Sequence, residues 1–304
     1  MRAAVLHAAG DVRVEEVAEP KITAPTDAVI RLAASCVCGS DLWPYRGIEP
    51  VSQPMPMGHE YVGVVEEVGS EVRRVRPGQF VVGSFATSDG TCEICRSGYP
   101  SSCVHREFMS GAQSDLARVP NADGTLVPTP GVPDADLLPD LLAASDVLGT
   151  GWFGAVAAHA GPGQTVAVVG DGAVGLLAVL AARQLGAERV IAMSRHEQRQ
   201  KLALEFGATD IVTERGDEGV ARIKDLTGGL GAHSVVEAVG TQESMQQAIG
   251  STRPGGHVGF VGVNHDVTLS GEGLFFDLTL PLDQAAEAYR AMDERRAIKA
   301  LLHV

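Results

Sequence analysis

The stretch TVAVVGDGAVG, residues 165–175, decides how the second half of this chain folds. Its valine-rich start predicts a short buried strand, which runs into three glycines at Gly170, Gly172 and Gly175. The apolar stripe AVGLLAVLAARQLGA then predicts a helix that ends at Gly186. A strand that passes through G-x-G-x-x-G into a helix leaves free backbone N–H groups where a pyrophosphate can bind. A glycine turn without a ligand is the alternative.

The same alternation continues to the end of the second half. Strand-like runs RVIAMS, DIVT, SVVEAVG and GHVGFVGV alternate with helix-like runs HEQRQKLALEFGA, GVARIKDLTGG and QESMQQAIGST. Strands and helices that alternate with short connections are typical of a parallel, doubly wound sheet. In that setting the loop glycines, with Ala173 and Val174 between them, are predicted to hold the phosphates of a dinucleotide.

The residues after the second strand of this half indicate which dinucleotide binds. NAD-binding folds usually place an acidic residue there to hold the ribose 2′-hydroxyl. This chain has Ser194 and Arg195 instead, with Arg199 one turn later. A guanidinium pairs bidentately with a phosphate, and the missing carboxylate removes a repulsion. The sequence therefore favours NADP(H) over NAD(H), with solvated charges at a helix start as the alternative.

The first half has a different character, and the composition limits the function classes. Residues 1–130 contain short β-branched runs broken by Gly, Pro and Asp, which predicts a β-rich domain. The net charge of −14 argues against a nucleic-acid surface, and no run of 18 apolar residues suits a membrane span. Five cysteines favour metal sites or reduced thiols over a secreted disulfide framework. We therefore expect a cytoplasmic protein that binds neither nucleic acid nor membrane.

A cysteine-rich lobe, DGTCEICRSGYPSSC, occupies residues 89–103. Two thiolates in a C-x-x-C pair grip one tetrahedral ion, and a third from the loop nearly completes a closed zinc site. Carboxylate is a harder and weaker zinc partner than thiolate, so this site is expected to hold its metal less firmly than four cysteines would. A reduced loop without metal is the alternative. The predicted structural zinc ligands are Asp89, Cys92, Cys95 and Cys103.

A second cluster of metal-binding side chains spans three segments. CVCGSDLWPYRG covers residues 36–47, GHE covers 58–60, and ASDVLGTGWFGAV covers 144–156. One ligand from each, Cys38, His59 and Asp146, would make an open zinc site with a fourth position for water or substrate. A C-x-C redox pair of Cys36 and Cys38 is the alternative for the first segment, and chance spacing is the alternative for the set.

Taken in order, these motifs resemble the zinc-containing alcohol dehydrogenases of the medium-chain dehydrogenase/reductase superfamily. Cys38 with GSD, the GHE segment, the cysteine lobe, SDVLGTGW and the glycine loop follow one another as in that family. The resemblance implies an α/β protein with a GroES-like β-rich catalytic domain over residues 1–150 and a doubly wound Rossmann domain over 151–276. Residues 277–304 would return to the catalytic domain. The active site would then lie in the cleft between the two domains.

The resemblance also implies a role for each site residue. Cys38, His59 and Asp146 match the ligands of the catalytic zinc, and Glu60 matches an outer or exchanging ligand. Asp41 would hold the His59 ring through its other nitrogen, as metal-bound histidines usually require. Ser40 would bond the substrate oxygen and pass its proton outward. Thr150 would lie beside the nicotinamide.

The implied activity is transfer of a hydride between a small-molecule alcohol, aldehyde or ketone and a nicotinamide cofactor, with NADP(H) preferred. A homodimer or homotetramer is expected, unless the segment that lines the subunit interface in the family is missing from this chain. Two alternatives stay open at this point. One is a polyol or amino-alcohol dehydrogenase of the same superfamily. The other is a catalytically silent nucleotide-binding relative that has lost its zinc.

Three departures from the family pattern stand out. Trp43 occupies the place where many relatives carry a proton-relaying histidine, so Trp43 and Tyr45, with Trp152 and Phe153, are expected to wall the substrate pocket or pack in the core. Cys36 has no family role and is predicted to be a small buried residue. GEGLFF, residues 271–276, runs straight into DLTLPLDQAAEAYRAM. The family usually has some tens of residues between these points, including a strand and a helix that finish the Rossmann sheet. We therefore expect the Rossmann domain here to lack that strand and helix, either by deletion or because residues are missing from the sequence.

Overall fold

A computed structural model describes residues 1–264, 267–268 and 277–304 of the chain. These fall into two units, Met1–Val263 and Asn264–Val304. The short join at Phe276, and with it the predicted loss of the last strand and helix, lies outside the described residues. In the described part, no helix is long and apolar enough to cross a membrane.

Antiparallel strands dominate the amino-terminal part of the first unit. A small sheet has the order β2-β1-β4, and a larger one has the order β7-β3-β5-β6-β8. Tyr61, Val65 and Val81 are fully buried in the core of the larger sheet. The β-rich character predicted for residues 1–130 is therefore confirmed. The strands are β1 (Arg2–Ala8), β2 (Asp11–Glu16), β3 (Ala28–Ser35), β4 (Met55–Pro56), β5 (Tyr61–Val68), β6 (Phe80–Gly83), β7 (Leu116–Val119) and β8 (Leu126–Pro128).

Short helices connect these strands, and a longer one follows them. The short ones are α1 (Leu42–Tyr45), α2 (Glu93–Arg96), α3 (Ala122–Thr125) and α4 (Leu138–Ala143). The longer one, α5 (Val147–Ala157), runs through residue 150, where the sequence places the boundary between the domains. That division remains a prediction, because α5 continues unbroken across it.

The rest of the first unit alternates between strands and helices. Its five parallel strands have the order β11-β10-β9-β12-β13, the doubly wound arrangement that the sequence predicted. Valines of β9 and alanines of α6 are fully buried together on one face of the sheet. The elements are β9 (Thr165–Val169), α6 (Ala173–Gln184), β10 (Arg189–Met193), α7 (Glu197–Glu205), β11 (Asp210–Val212), α8 (Gly216–Leu226), β12 (Ala232–Glu237), α9 (Gln242–Ser251) and β13 (Thr252–Phe260).

Parallel pairing aligns the carboxyl ends of these strands along one edge. Val169 at the end of β9 lies opposite Met193 of β10 and Glu237 of β12, and Met193 lies opposite Val212 of β11. The segments that follow the four strands therefore start side by side. In open α/β sheets this edge is where ligands bind.

The second unit contains a two-stranded parallel sheet with one helix. The predicted helix and final strand are present as α10 (Ala285–Asp293) and β15 (Ala300–His303). The sequence did not assign β14 (Leu278–Pro281), which pairs with β15 from Leu278 opposite Ala300 onward.

Two glycines of α5 give a matched test of how α5 packs on α6. A Cβ on Gly151 would lie 2.7 Å from the backbone nitrogen of Ala178 and 2.8 Å from the carbonyl of Val174. A Cβ on Gly149 would meet nothing within 4 Å. Alanine favours a helix over glycine by about 1 kcal/mol, so Gly149→Ala should raise the free energy of unfolding slightly. Gly151→Ala should lower it by about 1–3 kcal/mol, because two backbones must separate. Denaturant unfolding midpoints measure both, and equal shifts would contradict this packing.

Candidate functional site

The three predicted catalytic ligands come from separate parts of the fold and meet at one point. Cys38 follows β3, His59 precedes β5, and Asp146 is the residue before α5. Nε2 of His59 lies 3.4 Å from Oδ2 of Asp146, and Sγ of Cys38 lies 3.8 Å from the same oxygen. Glu60 joins them, and the ligand atoms of all four residues lie within 4.8 Å of one another. The structure therefore brings together residues that are 108 positions apart.

Asp41 fixes the orientation of the His59 ring. Its Oδ1 lies 3.3 Å from Nδ1 of His59, which leaves Nε2 directed at Asp146 and Cys38. Asp41 itself is held by the backbone N–H of Cys38 at 3.0 Å and by Nε2 of Gln113 at 3.3 Å. Outer partners of this kind set the tautomer and direction of a metal-binding histidine.

The electrostatics of this cluster favour a positive charge. Burial lowers the pKa of His59, but its hydrogen bonds to Asp146, Asp41 and Cys38 outweigh burial and raise the pKa to about 12. Burial raises the pKa of Glu60, and the neighbouring Asp146 charge raises it further. Carboxylates and a thiol that converge with little access to water need a cation to compensate them.

The distances suit a zinc ion. Ligand atoms about 2.0–2.3 Å from one tetrahedral zinc lie roughly 3.3–3.8 Å apart. The two separations from Oδ2 of Asp146, 3.4 Å and 3.8 Å, fall in or at the edge of that range. One imidazole with a thiolate and a carboxylate is also a donor set that zinc accepts. These residues therefore fit the metal that the sequence implied.

Thr150 holds the other oxygen of Asp146. Its hydroxyl donates to Oδ1 at 2.7 Å, and its backbone N–H donates to the carbonyl of Asp146 at 2.8 Å. Both contacts follow from a spacing of four residues at the start of α5. The Thr150 hydroxyl therefore fixes the orientation of the Asp146 carboxylate. Its expected place beside a nicotinamide remains a prediction.

Cys36 does not behave as half of a redox pair. All five cysteines are free thiols, and Cys36 is half-buried rather than buried as predicted. Burial and the nearby Glu60 raise its pKa to about 12, so the thiol stays protonated near neutral pH. Its carbonyl accepts a hydrogen bond from Nε2 of Gln113 at 3.0 Å. The residue contributes to the site through its backbone.

Two aromatic rings that the sequence did not nominate lie at the metal-binding cluster. Phe85 meets His59 edge-on with ring centroids 6.1 Å apart, and it stacks on Phe108 at 6.2 Å. Of the aromatics expected to wall a pocket, Tyr45, Trp152 and Phe153 are exposed by more than 40% and Trp43 is half-buried. Ser40 is half-buried in the turn between Cys38 and Asp41.

The cysteine lobe forms the second cluster. Sγ of Cys92 lies 3.4 Å from Sγ of Cys95 and 3.9 Å from Sγ of Cys103, against roughly 3.8 Å around one tetrahedral zinc. Backbone N–H groups of Cys95 and Val104 lower the pKa of Cys92 to about 7, which favours the thiolate. The ligand atoms of Asp89 and these three cysteines lie within 4.8 Å of one another. The set fits zinc.

Asp89 has other partners within this lobe. Its Oδ2 lies 2.6 Å from Nδ1 of His105, and its Oδ1 accepts from the backbone N–H groups of Thr91 and Cys92. These bonds lower the pKa of Asp89, with His105 contributing most. Asp89 is thus ionised and placed beside the thiols, as a carboxylate ligand would need to be.

The glycine loop forms an anion cradle at the sheet edge. A Cβ on Gly175 would lie 2.1 Å from the carbonyl of Gly170, so α6 can approach the loop only with glycine there. A Cβ on Gly172 would meet nothing within 4 Å, which leaves open space at the start of α6. Gly172 caps that helix without a side-chain bond, and Ala173 and Val174 begin it. Free N–H groups facing open space suit a pyrophosphate.

The residues nominated for the cofactor ribose lie beside this loop. Ser194 is fully buried, and its hydroxyl donates to Oδ2 of Asp171 at 2.8 Å. Arg199 pairs with Oδ1 of the same carboxylate at 2.9 Å. Arg195 is exposed and has no ion pair among the described residues. Burial raises the pKa of Asp171, but its bonds to Ser194 and Arg199 and the charge of Arg215 lower it overall.

Sequence reasoning missed several contributors to these sites. Gln113 and Phe85 belong to loops whose partners are distant in sequence, so no local pattern marks them. His105 follows the last lobe cysteine by two positions, and a search for metal-binding side chains near 89–103 would have found it. Asp171 occupies a variable position of the glycine motif, where the motif itself carries no information.

Two family models cover most of the chain. Residues 24–131 match the alcohol dehydrogenase GroES-like domain, and residues 173–280 match the zinc-binding dehydrogenase domain. The first includes Cys38, His59 and the cysteine lobe, and the second begins in the glycine loop.

Named relatives agree with these matches. Zinc-type alcohol dehydrogenase B of Aspergillus flavus is 38% identical over 87% of this chain, although the chain spans only 64% of that protein. A probable zinc-binding alcohol dehydrogenase of Mycobacterium tuberculosis is 38% identical over 88% of this chain and 69% of its own length. An NADP-dependent isopropanol dehydrogenase of Entamoeba histolytica is 34% identical over 84% of this chain and 69% of its own length.

Solved structures agree as well. Alcohol dehydrogenase TADH from Thermus sp. ATN1 superimposes with a TM-score of 0.80 at 31% identity, covering 99% of both chains. The matched region includes both the antiparallel sheets and the doubly wound sheet, so this combination occurs in a known alcohol dehydrogenase structure. The chain belongs to the zinc-containing alcohol dehydrogenases of the medium-chain dehydrogenase/reductase superfamily.

Proposed function

We propose that this protein is a zinc-dependent alcohol dehydrogenase that transfers a hydride between an alcohol, aldehyde or ketone and a nicotinamide cofactor, with NADP(H) preferred. The observation that carries the proposal is the convergence of Cys38, His59 and Asp146 on one point. An open catalytic metal site requires three ligands held in place, and here they come from three segments, with His59 oriented by Asp41 and Asp146 by Thr150. The family of the chain supports the same reading.

The side chains divide the work of the reaction. Bound zinc would polarise the substrate oxygen and lower the pKa of a bound alcohol, and the nicotinamide would carry the hydride. Cys38, Nε2 of His59 and Oδ2 of Asp146 hold the metal. Asp41 keeps Nδ1 of His59 occupied, so that the ring presents Nε2. Thr150 keeps Oδ1 of Asp146 occupied, so that the carboxylate presents Oδ2.

Two further residues act close to the metal. Ser40 bonds the substrate oxygen through its hydroxyl and passes the alcohol proton outward. Glu60, buried beside Asp146 with a raised pKa, would be an outer or exchanging carboxylate ligand of the metal. Phe85 packs edge-on against the His59 ring and gives that side of the site an apolar surface.

The preference for NADP(H) rests on Ser194 and Arg195, directly after β10, and on Arg199 in α7, which acts through its ion pair with Asp171. No acidic residue stands there to hold a ribose 2′-hydroxyl, and Arg195 exposes a guanidinium. The NADP dependence named for the Entamoeba histolytica relative supports this choice. Asp89, Cys92, Cys95 and Cys103 hold a second zinc that stabilises their lobe.

Replacement of one cysteine tests the catalytic metal. Cys38→Ser should lose about one zinc per chain and lower turnover more than about 100-fold, beyond the loss typical of outer partners. NADPH titration by fluorescence should change little, because the glycine loop is intact. Cys36→Ser, two positions earlier, is the matched control and should keep both zinc and turnover. Turnover that survives in Cys38→Ser would remove Cys38 from the ligand set.

Replacement of one arginine tests the cofactor preference. Arg195→Ala should weaken NADPH binding about tenfold, since bonds to charged groups contribute about 1.5–3 kcal/mol, and should hardly change NADH binding. Lys201→Ala removes an exposed charge from α7, the helix that follows Arg195, and serves as the control. Equal losses for the two cofactors in Arg195→Ala would refute a 2′-phosphate role.

The lobe zinc is testable through stability. Cys103→Ser should remove one zinc per chain and lower the thermal unfolding midpoint, because binding of a structural zinc contributes on the order of 10 kcal/mol to folding. Ser102→Ala changes the exposed neighbour and should do neither. Metal analysis that still finds two zincs in Cys103→Ser would show that the lobe holds none through this thiol.

A further inference from the structure

Arg215 lies where the dinucleotide's ribose is expected, although no motif nominated it. It precedes α8 and follows β11, whose end aligns with the end of β10. Ser194, at that end of β10, donates its backbone N–H to the carbonyl of Val212 at 2.9 Å. The segments carrying Ser194, Arg195 and Arg215 therefore leave the sheet side by side, next to Asp171 of the glycine loop.

The Arg215 guanidinium is incompletely satisfied. Its Nη1 is buried and has no hydrogen-bond partner among the described residues. Arginines elsewhere on this sheet differ. Arg189 makes a two-pronged pair with Asp210, and Arg199 pairs with Asp171. A buried donor without a partner costs about 1–3 kcal/mol, and more when it is charged, so this nitrogen calls for an acceptor that is not supplied by the described side chains.

The charges around Arg215 identify the kind of acceptor. Burial lowers the pKa of Arg215, the charge of the Asp171 carboxylate raises it, and the charge of Arg195 lowers it. Arg215 therefore interacts electrostatically with both Asp171 and Arg195. Arg199 bonds the Asp171 carboxylate, the charge of Arg215 acts on the same carboxylate, and the charge of Arg195 acts on Arg215. Taken with Asp171, these three guanidinium groups carry a net charge of +2. A phosphate monoester carries about −1.5 to −2 near pH 7, which balances that charge.

We propose that Arg215 binds the ribose 2′-phosphate of NADP(H) together with Arg195, and that it is a second determinant of the cofactor preference. This assignment rests on the proposed function. Asp171 does not contact the phosphate in this arrangement. Its carboxylate accepts hydrogen bonds from Arg199 at 2.9 Å and from the Ser194 hydroxyl at 2.8 Å. Arg199 therefore positions the glycine loop, and the two arginines without an ion pair among the described residues receive the phosphate.

Binding of cofactors and cofactor fragments to the zinc-loaded enzyme tests the assignment. Arg215→Gln should weaken NADPH and 2′,5′-ADP about tenfold or more, the value of one lost charge-assisted hydrogen bond, and should change NADH and 5′-AMP less than about threefold. Arg215→Lys keeps the charge but not the fork and should recover part of the loss. Arg222→Gln is the control, because Arg222 is an exposed residue of α8 whose charge acts on the carboxylates of Asp210 and Glu214, while the charges acting on Asp171 include Arg199 and Arg215.

Thermal unfolding without cofactor separates this role from a structural one. A partnerless buried charge does not stabilise the fold, so Arg215→Gln should unfold at the wild-type midpoint or above it. A lowered midpoint with equal losses for 2′,5′-ADP and 5′-AMP would mean a structural role and would overturn the proposal.

The wild-type enzyme separates this proposal from the one on which it rests. Wild-type protein that binds NADH as tightly as NADPH would refute the cofactor preference itself, and the Arg215 assignment with it. Wild-type protein that prefers NADPH, with the same preference kept in Arg215→Gln, would refute the Arg215 assignment alone.

Discussion

The contact between His59 and Asp146 is the constraint on which the rest of the site depends. His59 comes from the antiparallel part of the fold, and Asp146 stands at the start of α5. α5 packs on α6 so closely that Gly151 cannot carry a side chain there, and α6 begins at the glycine loop. The position of one carboxylate therefore ties the metal cluster to the dinucleotide cradle through two helices in contact.

The metal-binding cluster around His59 and the arginine-rich region beside Asp171 favour ligands of opposite charge. Around His59, a thiol and carboxylates converge with little access to water and favour a cation. Beside Asp171, arginines outnumber carboxylates and favour an anion. A low local dielectric strengthens both preferences. The fold places a cation site and an anion site on parts that pack together, as an enzyme requires when it brings a metal-held substrate to a phosphate-bearing cofactor.

Much of this organisation could be predicted from the sequence. The spacing of apolar residues and the positions of glycines identified the strands and helices from Thr165 to Phe260. Segments with such a clear apolar pattern depend little on distant contacts for their secondary structure. The order of the motifs indicated the family, and the metal-binding side chains that the sequence nominated form two clusters in the structure. Partners contributed by distant loops could not be found, since the contacts of Gln113 with Asp41 and of Phe85 with His59 exist only after folding. The buried Nη1 of Arg215 and the use of Thr150 by Asp146 are likewise properties of three-dimensional packing.

The most direct measurement is a crystal structure of the zinc-loaded protein with anomalous scattering recorded at the zinc edge. The account predicts an anomalous peak among Sγ of Cys38, Nε2 of His59 and Oδ2 of Asp146, about 2.0–2.3 Å from each, in a tetrahedral arrangement with one open position. A zinc-replete crystal with no peak at this point, or with a peak that Asp146 or His59 does not touch, would contradict it.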